Sequence, residues 1–353
     1  MSLTHLRKKI DVIDSKMVSL LNERARVSLE IGKEKIKTKS GIYSPNREKE
    51  VFNHLSSLNK GPTTDEALKA IYREVMSSSL SLEKNLNIAY LGTEGSFTHL
   101  AANKKFGSQV KYVACVTILD VFKKVENEEC DYGVVPIENS IEGAVTHTFD
   151  LLVDSDLRIC SQILLPISHS LMSNADISKI KKIYSKWEVF GQCRNWLHEN
   201  LPKAELIPTQ STTLAAKKIV KEKNAAAIGS SLAAKINNLT IIRKDIQDVS
   251  HNTTRFLVIS KQDVPPTGKD RTSILFSIKD KVGALHAMLT PFSRNKINLS
   301  KIESRPSKKR AWDYYFFVDI EGHRLDKNVK SALNQLEGMC KYLKILGSYP
   351  VLE

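Results

Sequence analysis

Apolar residues recur at steps of three and four through Leu6, Ile10, Ile13, Met17, Leu20, Leu21, Val27 and Ile31, which predicts one long amphipathic helix. It is expected to run to about Lys39 and to end before Gly41. A second helix is predicted over NREKEVFNHLSSLN, with Ser44 as its cap, Pro45 at its first position and Gly61-Pro62 as its break. A third follows in TTDEALKAIYREVMSSSLSLEK, where Thr63 to Glu66 has capping-box spacing. Three helices, one of them very long, cannot bury that length inside a monomer. The first helix is therefore expected to pack against a second copy of the chain.

From Leu86 the period changes. NIAYLG, YGVVPIE, LRICSQILLPI and AAAIGS are short β-type runs separated by helical stretches, which predicts an α/β domain reaching about Gln262. QDVPPTGKD reads as a linker. Beyond it TSILFSI, GALHAMLTPFSRN, INLSKIESR, WDYYFFVDI, KNVKSALNQLEG and YLKILGSYP alternate as strand, helix, strand, strand, helix, strand. That is the ferredoxin-like α+β order. The expected multidomain layout is thus all-α over residues 1–85, α/β over 86–262 and α+β over 263–353.

Composition removes several function classes. With 353 residues, 41% hydrophobic and 26% charged, the chain is long enough for three cores and ordinary for a globular protein. No apolar run approaches the roughly 20 residues that span a bilayer, and MSLTHLRKKID has no signal-peptide core, so a cytoplasmic location without membrane contact is expected. Five scattered cysteines without a CxxC pair, and no HExxH, point to reduced thiols and no metal site. The net charge of +14 is spread along the chain, and its densest clusters, KEKIKTK and PSKKR, lack interleaved aromatics, so nucleic acid is not the expected partner.

The candidate chemistry begins inside the first helix. Arg24 falls where the pattern asks for another apolar residue, Lys35 and Ser28 share its face, and Arg7 lies near the edge. In the second helix Glu48 leads a face of Val51, Phe52, Leu55 and Leu58, with Arg47 one turn before Val51. In the third, Leu68, Tyr72, Val75 and Met76 form a stripe that Ser79 and Glu83 extend. Buried unpaired cations are costly, so they need anions. These are either internal partners, for instance Arg24 with Glu48, or a ligand. Four cations against few inward acids favour an anionic ligand such as a dicarboxylate.

LRKKID…LLNERARVSLEIGKEK, IYSPNREKEV and SSSLSLEK resemble the all-helical chorismate mutases over residues 3–84. The resemblance implies that Arg7 (from across a dimer), Arg24 and Arg47 hold the carboxylates of chorismate. It implies that Lys35 and Glu83 bond the ether oxygen, that Glu48 takes the hydroxyl, that Ser79 lines the carboxylate side and that the Ser44 backbone lies near the hydroxyl. The physics agrees: a Claisen rearrangement transfers no proton, so it asks for shape and fixed positive charge at the developing oxyanion.

In the middle part, YLGTEGSFTHLAA places a helix start at Ser96 or Thr98 after a strand, a geometry able to bind anions. It is neither GxGxxG nor a P-loop, so neither a nicotinamide cofactor nor ATP is indicated. VPIENSIEGAV puts Glu138 and Asn139 in a turn after a strand, and HNTTRFLVIS puts Thr253, Thr254 and Arg255 directly before another. With YSKWEVFGQCRNWL and STTLAA, these resemble prephenate dehydratase over about 87–262, a domain with two lobes like those of periplasmic binding proteins. The resemblance implies that Thr254 assists loss of the ring hydroxyl and Arg255 binds a carboxylate. Thr253, Asn139, Ser185 and Gln192 match cleft-lining positions; Ser185-Lys186-Trp187 stands where some relatives have Ser-His-Pro.

GALH from Gly283 and ESRP from Glu303 resemble the phenylalanine-sensing ACT domains that follow this dehydratase. They imply a phenylalanine site between two such domains, with Gly283, Ala284 and Leu285 on one side and Asn298, Leu299, Glu303, Ser304 and Arg305 on the other. Together the three resemblances imply a cofactor-free bifunctional enzyme, a homodimer or tetramer, taking chorismate to prephenate and then phenylpyruvate under phenylalanine inhibition. A ligand-sensing regulator without turnover is the competing reading, but no helix–turn–helix with an exposed basic face is present. Fusion to a prephenate dehydrogenase would require the missing nicotinamide fingerprint.

Overall fold

The computed structural model describes residues 2–38, 41–278, 282–307 and 314–351. Two compact units emerge: Met1–Asn87 with Lys105–Lys111, and Ile88–Lys104 with Tyr112–Glu353. The first contains α1 (Leu3–Lys37), α2 (Pro45–Leu58) and α3 (Asp65–Glu83). The expected end of α1 at Lys39 lies outside the described residues. Ser44 occupies the cap position of α2, but its hydroxyl donates to Asn46 instead of accepting a helix N–H. Thr64, not Thr63, caps α3, accepting from the Ala67 N–H at 3.2 Å. That register puts Ala67 where a capping box needs an acid, so no box forms.

α1 lies against α3. A Cβ on Gly32 would stand 2.9 Å from the Glu83 Cα, so this glycine allows the backbone approach that brings Lys35 to Glu83. Before Ser28 the apolar stripe of α1 is uncovered, with Ile10, Ile13 and Leu20 at 56%, 55% and 64% exposure. Leu58 is also exposed and does not join the inner face of α2.

The second unit carries two lobes and a C-terminal domain. Its first lobe runs β1 (Asn87–Leu91), α4 (Phe97–Phe106), β2 (Lys111–Cys115), α5 (Ile118–Glu126), β3 (Tyr132–Asn139), β4 (Gly143–Ala144), α6 (Thr146–Asp154) and β5 (Arg158–Pro166). The second lobe runs β6 (Ser170–Ser173), β7 (Lys182–Ser185), α7 (Trp187–Gln192), α8 (Arg194–Asn200), β8 (Glu205–Pro208), α9 (Thr212–Ile219), β9 (Ala225–Gly229), α10 (Ser231–Ile236) and β10 (Thr240–Arg243). β11 (Thr253–Ser260) then returns to the first lobe, where it lies between β3 and β5 in the order β2-β1-β3-β11-β5, with β4 on β3. The second sheet has the order β10-β6-β9-β7-β8. The chain thus passes between lobes twice, after β5 and before β11.

The C-terminal domain is β12 (Asp270–Ser277), α11 (Ala284–Arg294), β13 (Leu299–Pro306), β14 (Tyr314–Glu321), α12 (Lys327–Glu337) and β15 (Tyr342–Pro350), with sheet order β13-β14-β12-β15. This is the expected βαββαβ order; Trp312 and Asp313, expected to open β14, lie outside the described residues. Strand alternation gives the sheet two buried faces. Ile274, Phe276 and Val318 pack with Met288 and Phe292 of α11 and Leu333 of α12. Leu275, Phe317, Leu346 and Tyr349 share a core with Ile137, Phe149 and Leu257 of the first lobe. The C-terminal sheet is therefore continuous with the core behind β3 and β11. No helix among the described residues is long and apolar enough to cross a membrane.

Candidate active sites

The helical unit carries a cavity of about 510 Å³ that opens to solvent. Arg24, Lys35, Arg47, Glu48, Ser79 and Glu83, all anticipated, line it together, as does Ser44. Arg7 is not among the lining residues and is exposed on the first turns of α1. Arg24 donates to the Ser79 hydroxyl and has no carboxylate partner among the described residues, so the internal Arg24–Glu48 pair does not form. Lys35 Nζ donates to the Ile42 carbonyl at 2.6 Å and to Glu83 Oε2 at 2.7 Å. An ammonium has three protons, which leaves one for a ligand. Arg47 is exposed and pairs with Glu50 at 2.9 Å.

Glu48 departs most from expectation. Its Oε2 accepts from the Tyr43 hydroxyl at 2.6 Å and from Lys105 Nζ at 2.8 Å. Tyr43, Arg73, Lys105 and Phe106 line the cavity although sequence reading passed over them. Arg73 had a signal, since it precedes Met76 by three on the inner face of α3. Lys105 had none, lying 57 residues from its partner.

The second site is a hydrogen-bonded cluster where β3 and β11 meet the lobe crossings. Glu138 and Asn139 end β3 instead of standing in a turn, and Thr253 to Arg255 open β11 instead of preceding it. Thr254 is the cross-strand partner of Asn139, and Arg255 of Glu138. Asn139 Nδ2 donates to Thr254 Oγ1 at 2.8 Å and to Asn252 Oδ1 at 2.7 Å, while its Oδ1 accepts the N–H groups of Ile141 and Glu142 at 2.9 and 3.0 Å. Thr253 pairs through its backbone with Ser140. Across the cluster, Gln192 of the second lobe donates to Glu142 Oε1 at 3.1 Å and bonds His169 Nε2 at 2.7 Å. Burial lowers the His169 pKa against the opposing bond to Gln192, which favours the neutral ring. Asn252, Glu142 and His169 were not anticipated.

Two expected cleft residues face elsewhere. Ser185 is fully buried, and its hydroxyl donates to the Ile228 carbonyl at 2.8 Å. Arg255 follows Thr254 on a strand, so its side chain takes the opposite face. There its guanidinium is buried, donating to Asp319 Oδ2 at 2.6 Å, to the Tyr349 hydroxyl at 2.8 Å and to Glu138 Oε1 at 3.2 Å. Burial works against its charge, but Tyr349 and Asp319 outweigh it and raise the pKa. Arg255 is therefore already neutralised by protein groups and is not presented as a free carboxylate receptor.

The C-terminal residues also divide. Gly283 caps α11 in the left-handed conformation, φ 76°, with Ala284 buried and Leu285 37% exposed. Asn298 donates to Glu321 Oε1 at 2.9 Å, and Leu299 begins β13. Ser304 is exposed on one face of β13. Lys301, Glu303 and Arg305 alternate onto the other, where Lys301 pairs with Glu138 and Arg305 donates to Thr146 Oγ1 at 3.2 Å. The Arg305 and Ser304 side chains thus cannot both face one ligand. Among the described residues no group of three His, Cys, Asp or Glu side chains is placed to hold a metal.

Family models match in chain order: chorismate mutase type II over residues 6–84, prephenate dehydratase over 88–264 and an ACT domain over 272–338. The chain is 48% identical to a bifunctional chorismate mutase/prephenate dehydratase of Aquifex aeolicus over 353 residues, 99% of this chain and 98% of that one. The chain belongs to the bifunctional chorismate mutase/prephenate dehydratase family. It is an enzyme of both activities, which removes the reading as a regulator without turnover. Two solved structures each match three quarters of the chain. The Arthrobacter aurescens prephenate dehydratase in complex with L-Phe is 33% identical at TM-score 0.69, covering 75% of this chain and 90% of that one. GqqA, described as a novel type of quorum quenching acylase, is 25% identical at TM-score 0.70, covering 75% and 98%. The same fold therefore accompanies two described activities, and it is the full-length relatives that decide between them.

Proposed function

We propose that residues 1–85 form the mutase, 86–262 the dehydratase and 263–353 the phenylalanine sensor, and that each site works as follows. In the helical cavity Arg24, with Arg47 and a partner subunit's Arg7, binds the two carboxylates of chorismate. Ser79 orients Arg24, and the Ser44 backbone borders the hydroxyl side. The third proton of Lys35 meets the ether oxygen as the C–O bond breaks and the new C–C bond forms. Glu83 aims that ammonium. The charge is in place before reaction, so no reorganisation is needed as the oxyanion develops. The uncovered stripe of α1 supports a homodimer, each buried leucine-sized side chain contributing about 1.5–3 kcal/mol; pairing of dimers into a tetramer would need a further surface.

In the cleft, prephenate loses carbon dioxide, and the electrons of that C–C bond aromatise the ring and expel the hydroxyl group. The Asn139 amide donates to Thr254 Oγ1, so the threonine's own proton is directed away from Asn139 and is free to meet the leaving oxygen. Thr254 thus needs orientation, not acidity. Gln192 and Thr253 border the substrate, while Ser185 supports the cleft wall from inside. No organic cofactor or metal is required for either step. Both steps are placed in the cytoplasm, a reading that the five free cysteines support.

Phenylalanine binds near Gly283, Ala284, Leu285 and Ser304, with Asn298 and Leu299 shaping the same end and Glu303 and Arg305 reaching it through backbone. Its effect travels through β13: Ser304 faces the effector, while Lys301 on the other face holds Glu138, the neighbour of Asn139. Arg255, the neighbour of Thr254, holds Asp319. The observation carrying this reading is the cross-strand pairing that puts Thr254 with Asn139 and Arg255 with Glu138 on consecutive positions. A ligand shifts activity only through unequal affinity for two states, so phenylalanine should both stabilise the protein and slow the dehydratase. Purified protein given chorismate should release prephenate and then phenylpyruvate, with the second step slowed by phenylalanine. Intact protein returning chorismate unchanged would contradict the assignment.

A further inference from the structure

We propose that Lys105 is a positioning residue of the chorismate rearrangement, acting through Glu48. It lies outside the residues matched by the mutase model and inside those matched by the dehydratase model, yet it packs within the helical unit. The inference rests on assigning the helical cavity to chorismate.

The Lys105 and Glu48 side chains are 6% and 10% exposed and meet at 2.8 Å. Lys105 and the Tyr43 hydroxyl converge on the same oxygen, Oε2. Among the described residues Oε1 receives no donor, and Glu48 lines the cavity. One carboxylate oxygen thus takes both donors, and the other is left as an acceptor for a substrate hydroxyl. The donors are themselves held. Lys105 Nζ stands 5.6 Å from the Tyr43 ring centroid, and Phe106 packs on Tyr43 at 5.0 Å between centroids. Gly107, φ +74°, comes so close to Ser77 that a Cβ there would collide with its side chain. The next residues fasten to α3: the Ser108 N–H donates to Glu74 at 3.1 Å and the Gln109 N–H to the Ser77 hydroxyl at 3.0 Å.

The electrostatic need is specific. Chorismate brings two negative charges into a site that already holds Glu48, and like charges in a partly dry cavity repel strongly. Lys105 neutralises Glu48 without occupying the oxygen that the hydroxyl needs. Because the hydroxyl is bonded equally in the ground and transition states, this interaction acts on binding and not on the chemical step.

The test is a double-mutant cycle in the full chain, with dehydration of supplied prephenate as the internal control for folding. Lys105→Met should raise KM for chorismate tenfold or more while kcat stays within about threefold, as expected for uniform binding. Lys105→Arg should restore most of the loss. In a Glu48→Gln background Lys105→Met should have little further effect, because the charge it offsets is gone. The proposal is overturned if Lys105→Met leaves KM within twofold of the original protein, or if its effect persists undiminished beside Glu48→Gln. Failure of the site assignment would look different: Arg24→Ala would then leave chorismate turnover intact.

Discussion

The helical cavity and the β3–β11 cluster, proposed above as the mutase and dehydratase sites, engage their polar groups in opposite ways. In the first, cations keep donors to spare among the described residues: Arg24 bonds a serine, and Lys35 has a proton left over. In the second, Asn139 and Gln192 are already bonded at both amide ends, and Arg255 is neutralised behind the strand. Charge held in reserve suits a rearrangement that moves no proton. A saturated network suits a reaction that needs one hydroxyl proton aimed at one leaving group. The comparison predicts that substitutions will fail differently: at the cavity by lost attraction, at the cluster by lost alignment.

The largest effect should come from removing the buried support of the cluster. Arg255→Met leaves Asp319 buried without its main partner, at a cost of about 3–5 kcal/mol. Calorimetry should show the transition of the second unit lowered by on the order of 10 °C, with chorismate turnover at 25 °C retained. A Tm within about 2 °C of the original would show that Arg255 is not the support described here.

A smaller loss is expected at Asn139. Asn139→Ala frees the Thr254 hydroxyl to rotate, and dehydratase kcat should fall about 100-fold, within the range for misplaced donors, while KM changes little and the mutase is untouched. A rise in KM with kcat preserved would mean that Asn139 binds substrate directly and does not orient Thr254.

The smallest effect concerns pH. The folded pKa of His169 lies below its ordinary value because of burial. The unfolded chain therefore binds the extra proton first, and the stability that His169 contributes is complete above pH ~6.5 and lost as pH falls through the folded pKa. His169→Gln should flatten the decline in stability between pH 7 and 5 by at most about 1.4 kcal/mol per pH unit. Parallel Tm profiles for the two proteins would rule out this linkage; His99, also lowered by burial, is common to both.

How much of this was legible follows from geometry. Helical period exposes a charged residue on an apolar face, so Arg24, Lys35 and Glu48 could be named from spacing, and the cavity unites them. Strand alternation made the βαββαβ order readable, but it does not say which face is the cleft. Thr254 and Arg255 therefore read as one site while their side chains diverge. Ser185 likewise gave no sign that its hydroxyl turns to Ile228. Thr63 and Thr64 are equivalent as caps until the helix register is known. Lys105 was illegible for another reason: no local period links it to Glu48, because the segment that carries it returns to the helices only through tertiary packing.

Two chemically distinct sites are proposed to act independently in one chain. The direct measurement is kcat/KM for chorismate and for prephenate in Arg24→Ala and in Thr254→Val. Arg24→Ala should lower the first about 1000-fold and leave the second within twofold; Thr254→Val should lower the second by about 100-fold or more and leave the first unchanged. If either substitution removed both activities in a protein that still melted cooperatively at its usual temperature, the two reactions would share a site and this account would be wrong.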